Sequence, residues 1–279
     1  MARGKFPGNR RHAAAADPAP AADLHTIERE LRAGGCRLIA GIDEAGRGPL
    51  AGPVCAAAVV FDGQTMIEGV NDSKQLTAAD REQLHDEILR RALAAGIGLA
   101  TAEEIDALNI LEATRLAARR ALKALKVLPD ILLLDALRLD GVTIPQQPLI
   151  KGDARCFSIA AASILAKVTR DRLMQQYDAE YPLYGFAHHK GYPTRAHYDC
   201  LERHGPSTIH RKTFYDGGFF AGPPVHSRSY MRLRAALQGT DAHEAARAAD
   251  EMRAMRGFLP ECEWRELNAL VPNSTTPEV

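Results

Sequence analysis

Cysteine is scarce in this sequence: Cys36, Cys55, Cys156, Cys200 and Cys262 are odd in number, scattered, and form no C-x-x-C pair. That excludes a disulfide framework and a zinc knuckle, and it fits a reducing, cytoplasmic setting. No apolar run approaches the roughly 18 residues that a membrane helix needs. Met1 to Ala22 is basic and then Ala/Pro-rich, with no apolar stretch of the kind a secretion signal carries. The phosphate-cradling patterns G-x-x-x-x-G-K-[ST] and G-x-G-x-x-G are missing, which removes the common nucleotide-binding loops. An excess of either charge is missing too: 35 basic and 35 acidic residues cancel, so global charge neither demands nor excludes a nucleic-acid partner.

What is present is a chain of 279 residues, 46% hydrophobic and 25% charged, enough to bury one substantial core with a smaller appendage. Residues 1–22, with prolines and no hydrophobic periodicity, read as a disordered leader. A short helix is expected from Leu24 to Ala33, ending at Gly34-Gly35. A buried strand follows over Arg37 to Asp43, with an antiparallel partner over Val54 to Phe61. Thr77 is a candidate N-cap for a helix to about Ala94, and Gly96 to Thr101 returns as a strand. Asn109 to Lys126 is amphipathic, with Glu112, Arg115, Arg119, Lys123 and Lys126 set against an apolar face of Leu111, Ala118, Leu122 and Leu125, and Arg120 completes a basic cluster with Arg115, Arg119, Lys123 and Lys126. Ile131 to Asp135 reads as a strand buried on both faces, and a fifth strand or loop lies near Val142 to Ile150. Cys156 to Tyr177 is a long helix whose alanines allow close approach to a sheet.

This order predicts an α/β fold with a three-layer domain over residues 23–216, a central mixed sheet flanked by helices. Residues 217–279 are expected to form a linker and a C-terminal helical extension, including a basic-apolar segment near Tyr230 to Leu237 and a helix over Ala242 to Arg256. Basic residues cluster again at Arg203, His204, His210, Arg211 and Lys212, where the plain reading is a solvated face or tail.

Chemistry concentrates in Gly41 to Val54, GIDEAGRGPLAGPV. Asp43 and Glu44 close a strand and are followed by a glycine-rich turn, so carboxylate oxygens and backbone N–H groups lie side by side. Asp135 ends an apolar strand, where an unpartnered carboxylate is costly. Asp153 admits two readings, a helix cap or a fourth carboxylate at the same strand ends. Asp171, four residues after Lys167, reads first as an ion pair across one helical turn. Carboxylates gathered at a sheet edge suit Mg²⁺ or Mn²⁺, and two such ions support in-line phosphodiester cleavage. His188, His189 and His197 raise a zinc site, but they lack H-E-x-x-H spacing.

Several ordered stretches together resemble ribonuclease HII: GIDEAGRGPLAGPV, Asp72 to Leu76, Asn109 to Thr114, Leu134-Asp135-Ala136, Lys151-Gly152-Asp153, Ser158 to Asp171, and His189 to Tyr192. The resemblance covers about Leu38 to Phe214. It implies an RNase H-like fold with Asp43, Glu44, Asp135 and Asp153 as catalytic and metal-binding carboxylates. It implies that Gly46, Arg47 and Gly48 read a 2′-hydroxyl with help from Tyr192, and that Ser73, Lys74, Ser163 and Lys167 line the substrate path, with Asp171 in support. The implied substrates are RNA/DNA hybrid duplexes and DNA containing ribonucleotides, cut on the 5′ side of the ribonucleotide to leave 3′-hydroxyl and 5′-phosphate ends. A monomer without membrane contact is expected. A resolvase-like DNA endonuclease of the same fold and a non-catalytic duplex-binding module are the alternatives, with a small-molecule phosphotransferase more distant.

Overall fold

The structure is a computed structural model that describes residues 23–71, 73–74, 76–215 and 223–271. The leader expected over residues 1–22, Asp72, and most of the linker after Gly217 lie outside the described residues. The elements run α1 (Thr26–Ala33), β1 (Ile39–Ala45), β2 (Val54–Val60), α2 (Ala78–Arg91), β3 (Ala94–Ala100), α3 (Ala102–Leu108), α4 (Ile110–Ala124), β4 (Ile131–Asp135) and β5 (Gln146–Leu149). They continue with α5 (Phe157–Glu180), α6 (Phe186–His189), α7 (Arg195–His204), α8 (Arg228–Gln238), α9 (Ala242–Ala254) and α10 (Glu261–Leu270).

The five strands form one mixed sheet in the order β3-β2-β1-β4-β5. The β1–β2 and β2–β3 pairs are antiparallel, and the β1–β4 and β4–β5 pairs are parallel. Alternation along the strands feeds two cores. Ala40, Ile42, Ala56, Ala58, Leu132 and Leu134 face α4, while Cys55, Ala57 and Val59 face α5. This is the expected three-layer α/β architecture, with α4 on one face and α5 on the other.

Glycine sets how closely the layers approach. A Cβ on Gly41 of β1 would lie 2.2 Å from the Ser158 carbonyl carbon and 2.5 Å from the Ile159 nitrogen, both backbone atoms of α5. On the other face, Gly98 of β3 would meet the Ala117 carbonyl of α4 at 2.1 Å. Each long helix therefore rests on a strand where no side chain intervenes.

Several sequence expectations change in detail. The apolar face of α4 is built from Ala113, Ala117, Ala118 and Ala121, not from Leu111, which is exposed. Close helix–sheet packing favours small residues there, and the larger leucine is displaced to solvent. Asn109 begins α4 by accepting the N–H groups of Leu111 and Glu112. The Asp153 helix-cap reading does not hold, because Asp153 lies in a 3₁₀ turn and α5 begins only at Phe157. Glu28 of α1 fills that role: its buried carboxylate accepts the Ser158 N–H at 2.8 Å at the positive end of the helix.

The C-terminal helices α8, α9 and α10 have their own small core around Tyr230, Leu233, Met252 and Leu267. They are joined to the sheet domain through Glu263, which is fully buried. Glu263 accepts hydrogen bonds from the Ser227 N–H at 2.7 Å, the Ser227 and Thr208 hydroxyls, and the Tyr181 hydroxyl at 3.4 Å. Among the described residues no helix is long and apolar enough to cross a membrane.

Substituting Gly41→Ala should destabilise the protein by about 3 kcal/mol, because the added methyl meets helix backbone that cannot rotate away. Thermal unfolding should fall by roughly 6–12 °C. A Cβ on Gly257 meets nothing within 4 Å, so Gly257→Ala should leave the midpoint unchanged and serves as the control. Equal midpoints for both variants would refute the close-approach argument.

Candidate active site

Parallel pairing of β1 with β4 places two carboxylates together. The register runs Ile39↔Ile131 and Gly41↔Leu133, and two residues further along the same face stand Asp43 and Asp135, at the carboxyl ends of adjacent strands. That face is the one covered by α5, which brings Ser163 alongside; the Ser163 hydroxyl is hydrogen-bonded to Ser73 at 2.8 Å. A cavity of about 290 Å³ opens here. Asp43, Glu44, Asp135, Lys74, Lys167 and Tyr192 line it, together with Gly46-Arg47-Gly48, Ser73 and Ser163.

The electrostatics are those of crowded acids. Asp43 is buried, and its carboxyl is pushed well above the usual aspartate range, first by burial and then by the neighbouring charges of Glu44 and Asp135. Burial raises Glu44 as well, against the lowering effect of Arg47. Each acid already holds a protein donor. Asp43 accepts the Glu44 N–H at 2.8 Å, Glu44 accepts from Arg47 at 3.2 Å, Asp135 accepts the Gly152 N–H at 2.7 Å, and Asp153 pairs with Lys74 at 3.1 Å.

These partners decide what is brought together and what is not. Asp43, Glu44 and Asp135 share the cavity; Asp153 stands behind Lys74 and does not line it. Among the described residues no three His, Cys, Asp or Glu side chains already meet at metal-holding spacing. The donor set nonetheless fits a hard divalent cation. It consists of carboxylate oxygens alone, two of them on groups whose mutual repulsion a cation would relieve, with neither imidazole nor thiolate in the cavity wall. Asp171 lies outside the wall and makes the expected one-turn ion pair, holding the Lys167 ammonium at 2.7 and 2.8 Å.

The turn after Glu44 depends on two arginines that the sequence reading did not single out for this role. Arg170 of α5 donates to the carbonyls of Pro53 (2.9 Å), Ala51 (3.1 Å) and Lys190 (3.0 Å). Arg211 donates to those of Gly52 (2.9 Å), Arg47 (2.8 Å) and Gly46 (2.6 Å). Both side chains are fully buried, so the solvated-tail reading of the cluster around Arg211 is corrected: His210 and Arg211 are interior. Their neighbours Ser207, Thr208, Lys212 and Thr213 are polar, so the sequence held no local signal of that burial. Gly46, at φ +94°, leaves room for the Arg170 side chain, which a Cβ there would strike at 2.1 Å.

The histidines form a neutral chain that supports Tyr192. His189 donates from Nε2 to the Tyr184 carbonyl at 2.7 Å and accepts the Gly191 N–H on Nδ1 at 3.2 Å. His197 donates from Nδ1 to the Tyr192 carbonyl at 3.0 Å. Its Nε2 must then accept, at 3.0 Å, from Nε2 of His210, whose Nδ1 accepts the Ser207 N–H at 2.9 Å. Every ring nitrogen of the three is engaged by protein, so no zinc site remains for His189 and His197. The Tyr192 ring faces Gly48, 3.9 Å from where a Cβ on that residue would stand.

The sequence profile described as Ribonuclease HII matches residues 40–216. Relatives include the ribonuclease HII of Clostridioides difficile, 54% identical over 191 residues that span 68% of this chain and 75% of the relative. That of Syntrophotalea carbinolica is 54% identical over 197 residues, spanning 70% and 94%. Among solved structures, the ribonuclease H2 from Pyrococcus horikoshii superposes with a TM-score of 0.55 at 30% identity, over 63% of this chain and 93% of that one. The RNase HII of Archaeoglobus fulgidus, solved in complex with PCNA, gives 0.53 at 25% identity, over 64% and 96%.

The buried histidines make stability pH-dependent in a definite direction. Burial pushes His197 down to about 4, and His210 lies well below the ordinary histidine value for the same reason, reinforced by His197. The unfolded chain takes up these protons at higher pH than the folded one, so the stability present at neutrality is lost as pH falls from about 6.5 through about 4. Unfolding free energies from urea titrations should decline over that window, by up to about 1.4 kcal/mol per pH unit for each histidine. His210→Gln keeps a donor toward His197 and removes one titrating ring, so its decline should be shallower; an unchanged slope would contradict the neutral chain.

Proposed function

The chain belongs to the ribonuclease HII family, and from that premise we propose that Asp43, Glu44, Asp135 and Asp153 are the catalytic carboxylates of its phosphodiester cleavage. Divalent-metal-dependent hydrolysis of the RNA strand of RNA/DNA hybrids is the activity of this family and of this chain. The finer reading is incision on the 5′ side of a ribonucleotide embedded in duplex DNA, leaving 3′-hydroxyl and 5′-phosphate ends. The observation that carries it is the meeting of Asp43 and Asp135 at the ends of parallel strands, in one cavity with Gly46-Arg47-Gly48 and Tyr192.

Asp43, Glu44 and Asp135 would hold Mg²⁺ or Mn²⁺, with Asp153 joining once Lys74 turns outward to a phosphate. Two such ions would supply Lewis-acid stabilisation of the phosphodiester oxygens and ease deprotonation of the attacking water. The protein's own groups do the rest. Lys74 and Lys167 contact phosphates, Lys167 being aimed by Asp171, while Ser73 and Ser163 line the strand's path. The backbone of Gly46-Arg47-Gly48 reads the 2′-hydroxyl, the group that separates RNA from DNA. Tyr192 packs against the next sugar, a contact that favours a deoxyribose there and hence an RNA-to-DNA junction. The substrate is a nucleic-acid duplex met by a monomer in the cytoplasm.

A duplex carrying a single ribonucleotide should be nicked at its 5′ side in the presence of Mg²⁺ or Mn²⁺, while the all-DNA duplex stays whole. Absence of nicking at any enzyme level would overturn the proposal, and cutting of all-DNA would favour the resolvase-like alternative. Asp135→Asn should lower turnover about 10²-fold or more. Its duplex affinity should be unchanged or tighter, because the substitution removes a negative charge facing phosphates. Undiminished cutting would remove Asp135 from the site.

A further inference from the structure

Arg170 and Arg211 are cations in the interior, and each of their hydrogen-bond acceptors is a backbone carbonyl. Burial of a charge in this manner is costly and persists only where the geometry is well satisfied. Here six carbonyls satisfy it, five of them from the segment Gly46 to Pro53. A planar trans peptide points its N–H opposite to its C=O. With the Gly46 and Arg47 carbonyls drawn down onto Arg211, the N–H groups of Arg47 and Gly48 are turned the other way. Both residues are exposed and line the cavity. Among the described residues neither N–H has a protein acceptor.

We propose that Arg211 is a positioning residue for ribose recognition: by pulling the Gly46 and Arg47 carbonyls inward, it presents the Arg47 and Gly48 amides to the 2′-hydroxyl and its neighbouring phosphate. The inference rests on the reading of Gly46-Arg47-Gly48 given above and adds what fixes that turn. Arg170 holds the second half of the loop and, through the Lys190 carbonyl, the segment that leads into Tyr192. Arg211 is in turn braced by the Phe214 ring, 4.9 Å from its guanidinium carbon. The guanidinium fork matters as much as the charge, since an ammonium cannot reach three carbonyls in a plane.

The groups around Arg211 are Arg170 from α5, Tyr192, and Asp106 from α3. Burial, followed by Arg170, pushes Arg211 down to about 9, so it remains a cation at neutrality. A lysine starts lower and should lose its proton in the same surroundings near neutral pH.

The test is duplex affinity measured in EDTA with the full chain, comparing a duplex carrying one ribonucleotide with the same duplex in all-DNA. Arg211→Lys should reduce the wild-type preference for the ribonucleotide duplex by about ten-fold, the equivalent of roughly one well-made hydrogen bond. Part of that preference should return as pH is lowered from about 8 to about 6, where the lysine is charged. Phe214→Leu leaves the guanidinium in place but unbraced, so the loss should have the same sign and be smaller. If Arg211→Lys does not fold by circular dichroism, Phe214→Leu alone decides. A folded Arg211→Lys with wild-type preference at every pH would overturn the proposal, as would wild-type protein that shows no preference. Wild-type protein that prefers the ribonucleotide duplex but never cuts it with metal would instead defeat the functional reading.

Discussion

Two buried guanidinium groups gripping backbone carbonyls are the constraint on which the site's geometry depends. The connection between β1 and β2 must reverse direction, present a cavity wall, and do so without a regular ladder to absorb its polar groups. Left alone, its inward carbonyls would be orphaned in an apolar wall, at a cost comparable to several lost hydrogen bonds. Arg170 reaches it from the helix beneath the sheet, and Arg211 from the segment after α7. Backbone contacts reinforce the second link: Leu50 N–H to the Gly191 carbonyl at 2.8 Å, Gly52 N–H to Ile209 at 2.9 Å, and Arg211 N–H to Leu50 at 2.8 Å. Residues far apart in sequence thereby share one rigid platform.

Around this platform the charge is divided. Acids crowd the ends of β1 and β4, where repulsion and burial raise Asp43 and Glu44, while cations lie beneath the loop and at Lys74 and Lys167 on the rim. A polyanionic strand crossing such a surface meets attraction on the basic side and, on the acidic side, a place where its charge must be bridged by cations. The neutral histidine chain sits between His189 and Ser207 without adding to either sign, which lets it fix Tyr192 without disturbing the field.

Much of this was legible in the sequence because the relevant signals are local. Apolar and β-branched runs located the strands, Thr77 and Asn109 announced helix starts, and the Asp-Glu pair before a glycine-rich turn marked the candidate site. What was not legible depends on long-range contacts. Leu111 looks as apolar as any core residue, and only the closeness of α4 to β3 makes alanine the packing residue there. Arg211 looks like a member of a solvated basic cluster, since charge in a sequence carries no mark of burial. Asp153 offered itself as a cap, yet the carboxylate at the α5 terminus comes from Glu28, 130 residues away from Ser158. Helix α6 is a single turn, and α3 runs straight into α4 at Asn109, so neither stands out as a separate segment.

Glu263 has a consequence for the boundary of the family resemblance. The matched region closes at residue 216, while the acceptor that satisfies Thr208 and Tyr181 comes from α10, well beyond it. Without α10 those two hydroxyls, which also bond each other at 2.8 Å, would exchange a buried carboxylate for water, and the apolar surface beside them would lose its cover. The appended helices are thus seated on the matched region partly through polar contacts, with one buried carboxylate from α10 serving hydroxyls on both sides of the boundary.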